Sequence, residues 1–137
     1  MRCSIPAVLV VACLLAAPLA TRTSAHHSFA AEYDANKPVH LSGAVTKIEW
    51  TNPHVYFYVD VKDETSGKVT NWAFEMGAPA VIARTGWTRT TMKIGDLVIV
   101  DGSQAKSGRP HGNARSVTMA STGKKLGAGS SQYTEQQ

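Results

Sequence analysis

Histidine is the residue of this chain best suited to metal coordination and proton transfer, and two of the five stand side by side as His26-His27. If the chain is cut just before them, the free α-amine and imidazole of His26 chelate one Cu(II) ion. His27 then offers a further nitrogen, and imidazole suits copper, nickel and zinc alike. The competing reading is a pair of tail histidines that bind metal only adventitiously. His54 follows Asn52-Pro53 and His111 follows Arg109-Pro110, so each of these two histidines sits just after a proline corner. His40 stands alone near the start of a strand and reads as a surface residue.

Residues of a second kind surround His54. From His54 to Val61 the chain alternates, with Val55, Phe57, Val59 and Val61 on one face and His54, Tyr56, Tyr58 and Asp60 on the other. Val69 to Met76 alternates in the same way, placing Trp72, Phe74 and Met76 inward and Asn71, Ala73 and Glu75 outward. The outward residues form a polar-aromatic platform on which tyrosines stack against a sugar or other flat ligand, while Asn71, Glu75 and Arg109 supply hydrogen bonds. Against this stands the ordinary preference of tyrosine for sheet surfaces, and for His54 a turn histidine whose ring caps local backbone. Trp50, Trp72 and Trp87 read as packing, because a small domain without disulfides needs large buried side chains. Met76, Met92 and Met119 read as gap-fillers.

Catalytic signatures are missing from the sequence. It has no nucleophile elbow, no HExxH and no phosphate-cradling glycine loop, and Glu49, Asp60, Glu75 and Asp101 show no spacing that pairs them as acid and base. The one enzymatic reading left is a copper-dependent site at the new N-terminus.

That N-terminus is implied by the leader. Arg2 supplies a positive start, Ile5 to Leu15 an apolar run of signal-peptide length, and Thr23-Ser24-Ala25 a small-residue cleavage site. Residues 1–25 therefore read as a cleaved secretory signal, with a cut after Ala20 as the weaker option. A lipoprotein reading, with Cys13 as the lipid-bearing terminus, would strand Leu14 to Leu19 in the mature chain with no evident use. Both cysteines, Cys3 and Cys13, fall in the leader, so the mature domain has no disulfide and no thiol. Removing Arg2 and Arg22 from the 14 basic residues leaves 12 against 10 acidic ones, a net charge of +2. So mild a charge, on a protein placed in the periplasm or beyond, argues against nucleic acid as a partner.

The elements that must position these side chains follow in order. Residues 26–38 show no periodicity and read as an extended lead-in. Val39 to Trp50 reads as a long strand bent or bulged at Gly43. Strands over His54 to Val61 and Val69 to Met76 are joined by a hairpin loop at Lys62 to Lys68. Pro79 opens a short helix that Gly86 closes. A fourth strand spans Leu97 to Asp101 and a fifth Asn113 to Ala120, with the loop Ser103 to Gly112 between them. The Gly/Ser/Gln-rich residues 127–137 read as a disordered tail. Strand, strand, strand, helix, strand, strand is the order of an OB-like five-stranded Greek-key barrel, occupying residues 39–126, with an open sandwich or another small barrel as the alternative. In an OB barrel the loop between strands 1 and 2 and the loop between strands 4 and 5 flank one binding face. His54 would then share a rim with Arg109 and His111.

The runs HHSFAAEYD (26–34), IEWTNPHVYFYVDV (48–61), NWAFEMGAP (71–79), RTGWTR (84–89) and GNARSV (112–117), with Gly95-Asp96, together resemble a family of small exported bacterial proteins classed as a domain of unknown function. The likeness spans nearly the whole mature chain. It implies an OB-like fold and an extracytoplasmic location, and it implies no activity. The leading expectation is a non-enzymatic periplasmic binding module for a small molecule, glycan or envelope protein, using His54, Tyr56, Tyr58, Asn71, Glu75, Arg109 and His111. The alternatives are a copper chaperone or sensor built on His26 and His27, with His54 or His111 completing the site, and a structural envelope protein.

Overall fold

The computed structural model describes residues 29–133. The leader, His26 and His27 lie outside the described residues. Six strands and a few short helices make up the fold: α1 (Phe29–Glu32), β1 (Tyr33–Glu49), β2 (Tyr56–Lys62), β3 (Val69–Glu75), α2 (Pro79–Ala83), β4 (Leu97–Ala105), β5 (His111–Met119) and β6 (Lys125–Gly127), then a single 3-10 turn at Ser131–Tyr133. The strands form one sheet in the order β3-β2-β1-β4-β5-β6. All its neighbouring pairs are antiparallel. One further pairing, parallel, joins Ala73, Phe74 and Glu75 of β3 to His111, Gly112 and Asn113 of β5.

β1 organises the sheet. Its residues from Tyr33 to Ala44 pair with β4, and those from Ala44 to Glu49 pair with β2. Gly43 stands just before that handover. A β-carbon at Gly43 would lie 2.2 Å from the Asp60 carbonyl oxygen and 2.7 Å from Val59 Cγ1, so the two strands approach there more closely than any side chain permits. The alternating apolar residues build the core as the pattern implied: Val55, Phe57, Val59 and Phe74 are wholly buried, and Phe57 stacks on Phe74 with ring centroids 5.4 Å apart. Trp87, Met76, Met92 and Met119 join the same cluster, while Trp50 and Trp72 pack half-buried against it.

Several expectations from the sequence need correction. The sheet has six strands rather than five, and the fourth runs to Ala105 instead of stopping at Asp101, so Ser103 to Ala105 are strand and not loop. The lead-in at 26–38 is not uniformly extended, because α1 begins at Phe29 and β1 already at Tyr33. Tyr33 has a place in the interior, forming with Phe29 and Ala105 a second, smaller core cluster. The fifth strand begins at His111 rather than Asn113, its first three residues being those paired with β3. Residues 127–133, expected to be disordered, lie against the sheet: β6 pairs with β5, Ala128 is wholly buried, and the Ser130 hydroxyl donates to Asn113 Oδ1. Small residues make this docking possible. Gly77 N–H donates to the Ala128 carbonyl at 2.8 Å, and a β-carbon at Gly77 would collide with the Gly129 carbonyl at 2.6 Å.

Asp101 of β4 ties β1, β5 and β6 together. Its carboxylate meets His40 Nδ1 of β1, the Lys125 ammonium of β6 at 3.0 Å and the Ser116 hydroxyl of β5 at 3.2 Å. The hydrogen bond from His40, then those from Lys125 and Ser116, hold its pKa down at about 2 against the opposing effect of burial.

Two outcomes follow. Gly43→Ala should cost about 1–3 kcal/mol through forced strand separation, lowering the melting temperature by at least about 5 °C in a calorimetric scan. Asp101 is more acidic folded than its unfolded value of about 3.9, so its contribution to stability is present above that value and is lost as pH falls through about 2. Asp101→Asn should therefore unfold at lower urea than the parent at pH 7, with the gap closing between about pH 4 and pH 2.

Candidate functional site

Glu75 is the last residue of β3, and its cross-strand neighbour is Tyr56, the first of β2. The β2–β3 alternation points both side chains away from the main core, toward the face where solvent is expected. Yet Glu75 is only 5% exposed. The cover is α1 and the start of β1, which place the Phe29 and Tyr33 rings over that end of the sheet with centroids 5.6 Å apart.

A carboxylate taken out of water is costly unless its lone pairs find donors. Glu75 meets three side chains from three segments. Tyr33 donates its phenol to Oε2 at 2.7 Å, and Tyr56 donates to the same oxygen at 2.9 Å. His54 Nδ1, from the corner after Pro53, lies 3.0 Å from Oε1. His111 joins at one remove, with Nε2 3.1 Å from the Tyr33 oxygen and its ring edge-on to Tyr33 at 5.4 Å. On its far side, His111 Nδ1 stands 3.7 Å from Glu32 Oε1. The ligand atoms of Glu32, Glu75 and His111 all lie within 4.8 Å of one another. Burial, and then the hydrogen bond to Glu75, push the Tyr33 phenol far above the ordinary tyrosine range. The same two causes raise Tyr56.

The two proline corners singled out in the sequence thus reach one network, His54 through Glu75 and His111 through Tyr33. Tyr56 and Glu75 belong to it as well. Arg109 is exposed and lines a neighbouring cavity of about 540 Å³ together with Glu32, Lys106 and His111. Tyr58 and Asn71 share the face and stand apart from the cluster. Tyr58 donates to Glu49 at 2.9 Å, with the Lys47 ammonium 5.0 Å from its ring centre. Asn71 donates to Asp60 at 2.8 Å and to Thr46 at 3.0 Å, four residues or about 13 Å along the strand from Glu75. His40, as expected of a surface residue, has a side chain 75% exposed.

Sequence reasoning missed Glu32 and Tyr33. Both lie in the non-periodic run FAAEY, where four helical residues are too few to show an amphipathic period. The available signal was composition: Phe29 and Tyr33 stand four apart just before a strand, an apolar pair at the spacing of one helical turn.

Replacing Glu75 by Gln keeps the shape and removes the charge that disfavours phenolate. In a pH titration followed by ultraviolet difference absorption, Glu75→Gln should bring tyrosine ionisation to lower pH than in the parent. It should also cost about 1.5–3 kcal/mol, the range for hydrogen bonds to a charged group. An unshifted tyrosine titration would mean that Glu75 does not govern these phenols.

A family model described as a family of unknown function (DUF6152) matches residues 14–115, and the chain belongs to that family. No curated protein and no solved structure matches the chain.

Proposed function

We propose that this member of a family of unknown function is an exported, non-enzymatic binding module. Its sheet forms an OB-like barrel, and its ligand is received at the rim where His54, Tyr56, Glu75 and His111 meet, with Arg109 at the margin. The parallel pairing of β3 with β5 supports the barrel reading, because strand pairing then returns from β3 through β5 and β4 to β1. The signal-like leader supports export to the periplasm. Among the described residues, no helix is long and apolar enough to cross a membrane.

One observation carries the proposal: side chains from three segments converge on the buried Glu75 carboxylate and His111, from a fourth, joins them through Tyr33, next to a cavity of about 540 Å³. Binding sites have this composition, a concave surface with a few convergent polar groups held in fixed directions by their neighbours. Imidazoles, phenols and carboxylates beside Arg109 and Lys106 offer both donors and acceptors, which suits a small polar molecule. Tyr58 and Asn71 extend the same face and would meet only a longer ligand, such as an oligosaccharide.

The test is a nuclear magnetic resonance titration of isotope-labelled, metal-free protein with a panel of neutral sugars, acidic sugars, amino acids and dicarboxylates. Shift changes should centre on His54, Tyr56, Glu75 and His111, and Tyr56→Ala should weaken the interaction at least tenfold. Silence across the panel, or changes gathered around α2, would count against the rim as the binding surface.

A further inference from the structure

The protons at Tyr33 can be counted. Its phenol has one hydrogen and two acceptors within reach, Glu75 Oε2 at 2.7 Å and His111 Nε2 at 3.1 Å. The shorter contact is to a carboxylate, and a charge-assisted hydrogen bond of this kind is roughly twice as strong as a neutral one. The hydrogen therefore belongs to Glu75. The Tyr33 oxygen is left as acceptor, so His111 Nε2 must carry its own hydrogen and donate it. A neutral imidazole has a single N–H, so the neutral form of His111 presents Nδ1 as a bare lone pair. That nitrogen faces Glu32 Oε1 at 3.7 Å, too far for a hydrogen bond. In the neutral form two electron-rich atoms therefore confront one another across a gap, and the Glu75 carboxylate lies within 4.8 Å as well.

We infer that this gap is a site for a divalent transition-metal ion, held by His111 Nδ1 and Glu32 Oε1 with Glu75 as the third protein ligand. The inference rests on the rim being a binding surface and names the class of ligand that enters it first. Two ligands about 2.1 Å from a tetrahedral ion are themselves about 3.4 Å apart, close to the 3.7 Å observed. Glu32 has a side chain 41% exposed on the four-residue α1, so it has room to close the remaining distance. The imidazole nitrogen is what favours a transition metal such as zinc, nickel or copper, because carboxylates alone suit calcium and magnesium equally. Tyr33 also supplies what metal sites use to fix a ligand, an outer partner on the other ring nitrogen. Three protein ligands leave a coordination position open toward the cavity beside Arg109, where a small anion or water would sit.

Proton loss and metal entry can be read at the same atom. Nitrogen chemical shifts of His111 in the metal-free protein at pH 8 should report a protonated Nε2 and a bare Nδ1. Zn(II) should move the Nδ1 resonance, and Co(II) should give the visible absorption of a low-symmetry site. By calorimetric titration of the full processed chain, His111→Ala and Glu32→Gln should each weaken Zn(II) binding at least tenfold. His26→Ala with His27→Ala should leave it within about threefold. Glu32→Gln alters an exposed side chain outside both core clusters, and circular dichroism would confirm that it folds. The proposal is overturned if Nδ1 carries the hydrogen, if His111→Ala and Glu32→Gln bind like the parent, or if loss of His26 and His27 alone abolishes binding. Because small-molecule mapping is done without metal, failure here leaves that result standing, and the converse also holds.

Discussion

A carboxylate buried at the end of a strand sets the terms for one whole end of this molecule. Glu75 has little contact with water, so each of its oxygens must be met by protein donors, and the donors come from β1, β2 and the corner between them. None of these is close to Glu75 in sequence: Tyr33 is 42 residues away and Tyr56 is 19. Removing one partner of such a buried charge typically costs 3–5 kcal/mol, because the charge left behind is uncompensated. The network therefore acts as a clamp. It fixes where β1 begins, how β2 starts after Pro53, and which way the His111 ring lies.

The clamp requires β1 to be long. A strand paired with β4 alone would run from Tyr33 to Ala44 and would not continue alongside β2, which carries Tyr56. As built, β1 spans 17 residues, serving β4 along its first part and β2 along its last. The change of partner is only possible where the chain has no side chain to obstruct it, which is the role of Gly43. Packing and polar chemistry are thus linked. The close approach at Gly43 lets one continuous strand bring Tyr33 to the rim at one end and Ile48 to the main core at the other.

These relations were unequally legible in the residues. Phe57, Val59 and Phe74 announce themselves because a strand with one buried face must alternate, and that period survives in the sequence. Glycines could be read as special but not for what: Gly43 marks a close strand approach, while the bulge of β1 falls between Val45 and Lys47, and Gly86 takes a positive φ three residues beyond the end of α2. The corners carrying His54 and His111 could be brought together only through topology, and the β3–β5 pairing is what does so. By contrast, Glu32 and Tyr33 lay hidden in a segment without a period, and Ala128 in one whose composition looks disordered. Both segments dock through close approach and single side chains, Tyr33 on Glu75 and Gly129 on Gly77, and neither leaves a hydropathy pattern. Tyr58 and Asn71 show what alternation leaves out. They share a face with Glu75, but facing outward on a strand says nothing of how far along it a neighbour lies, and each has settled into local hydrogen bonds.

Stability alone does not account for this arrangement. Apolar side chains of similar volume at Glu75, Tyr33 and His54 would fill the same space, and such replacements of buried ionic groups are often neutral or stabilising. The main core, with Phe57, Phe74 and the buried valines, already closes the opposite face without a single ionised group. What the polar cluster adds is orientation. Both rim imidazoles have one nitrogen engaged, His54 Nδ1 by Glu75 and His111 Nε2 by Tyr33, and so have fixed directions. The His111 ring also has Glu32 set opposite its second nitrogen. The buried charge of Glu75 thus holds two imidazole rings at one rim, and the two differ in their surroundings: His54 is engaged by Glu75, while His111 lies between Tyr33 and Glu32.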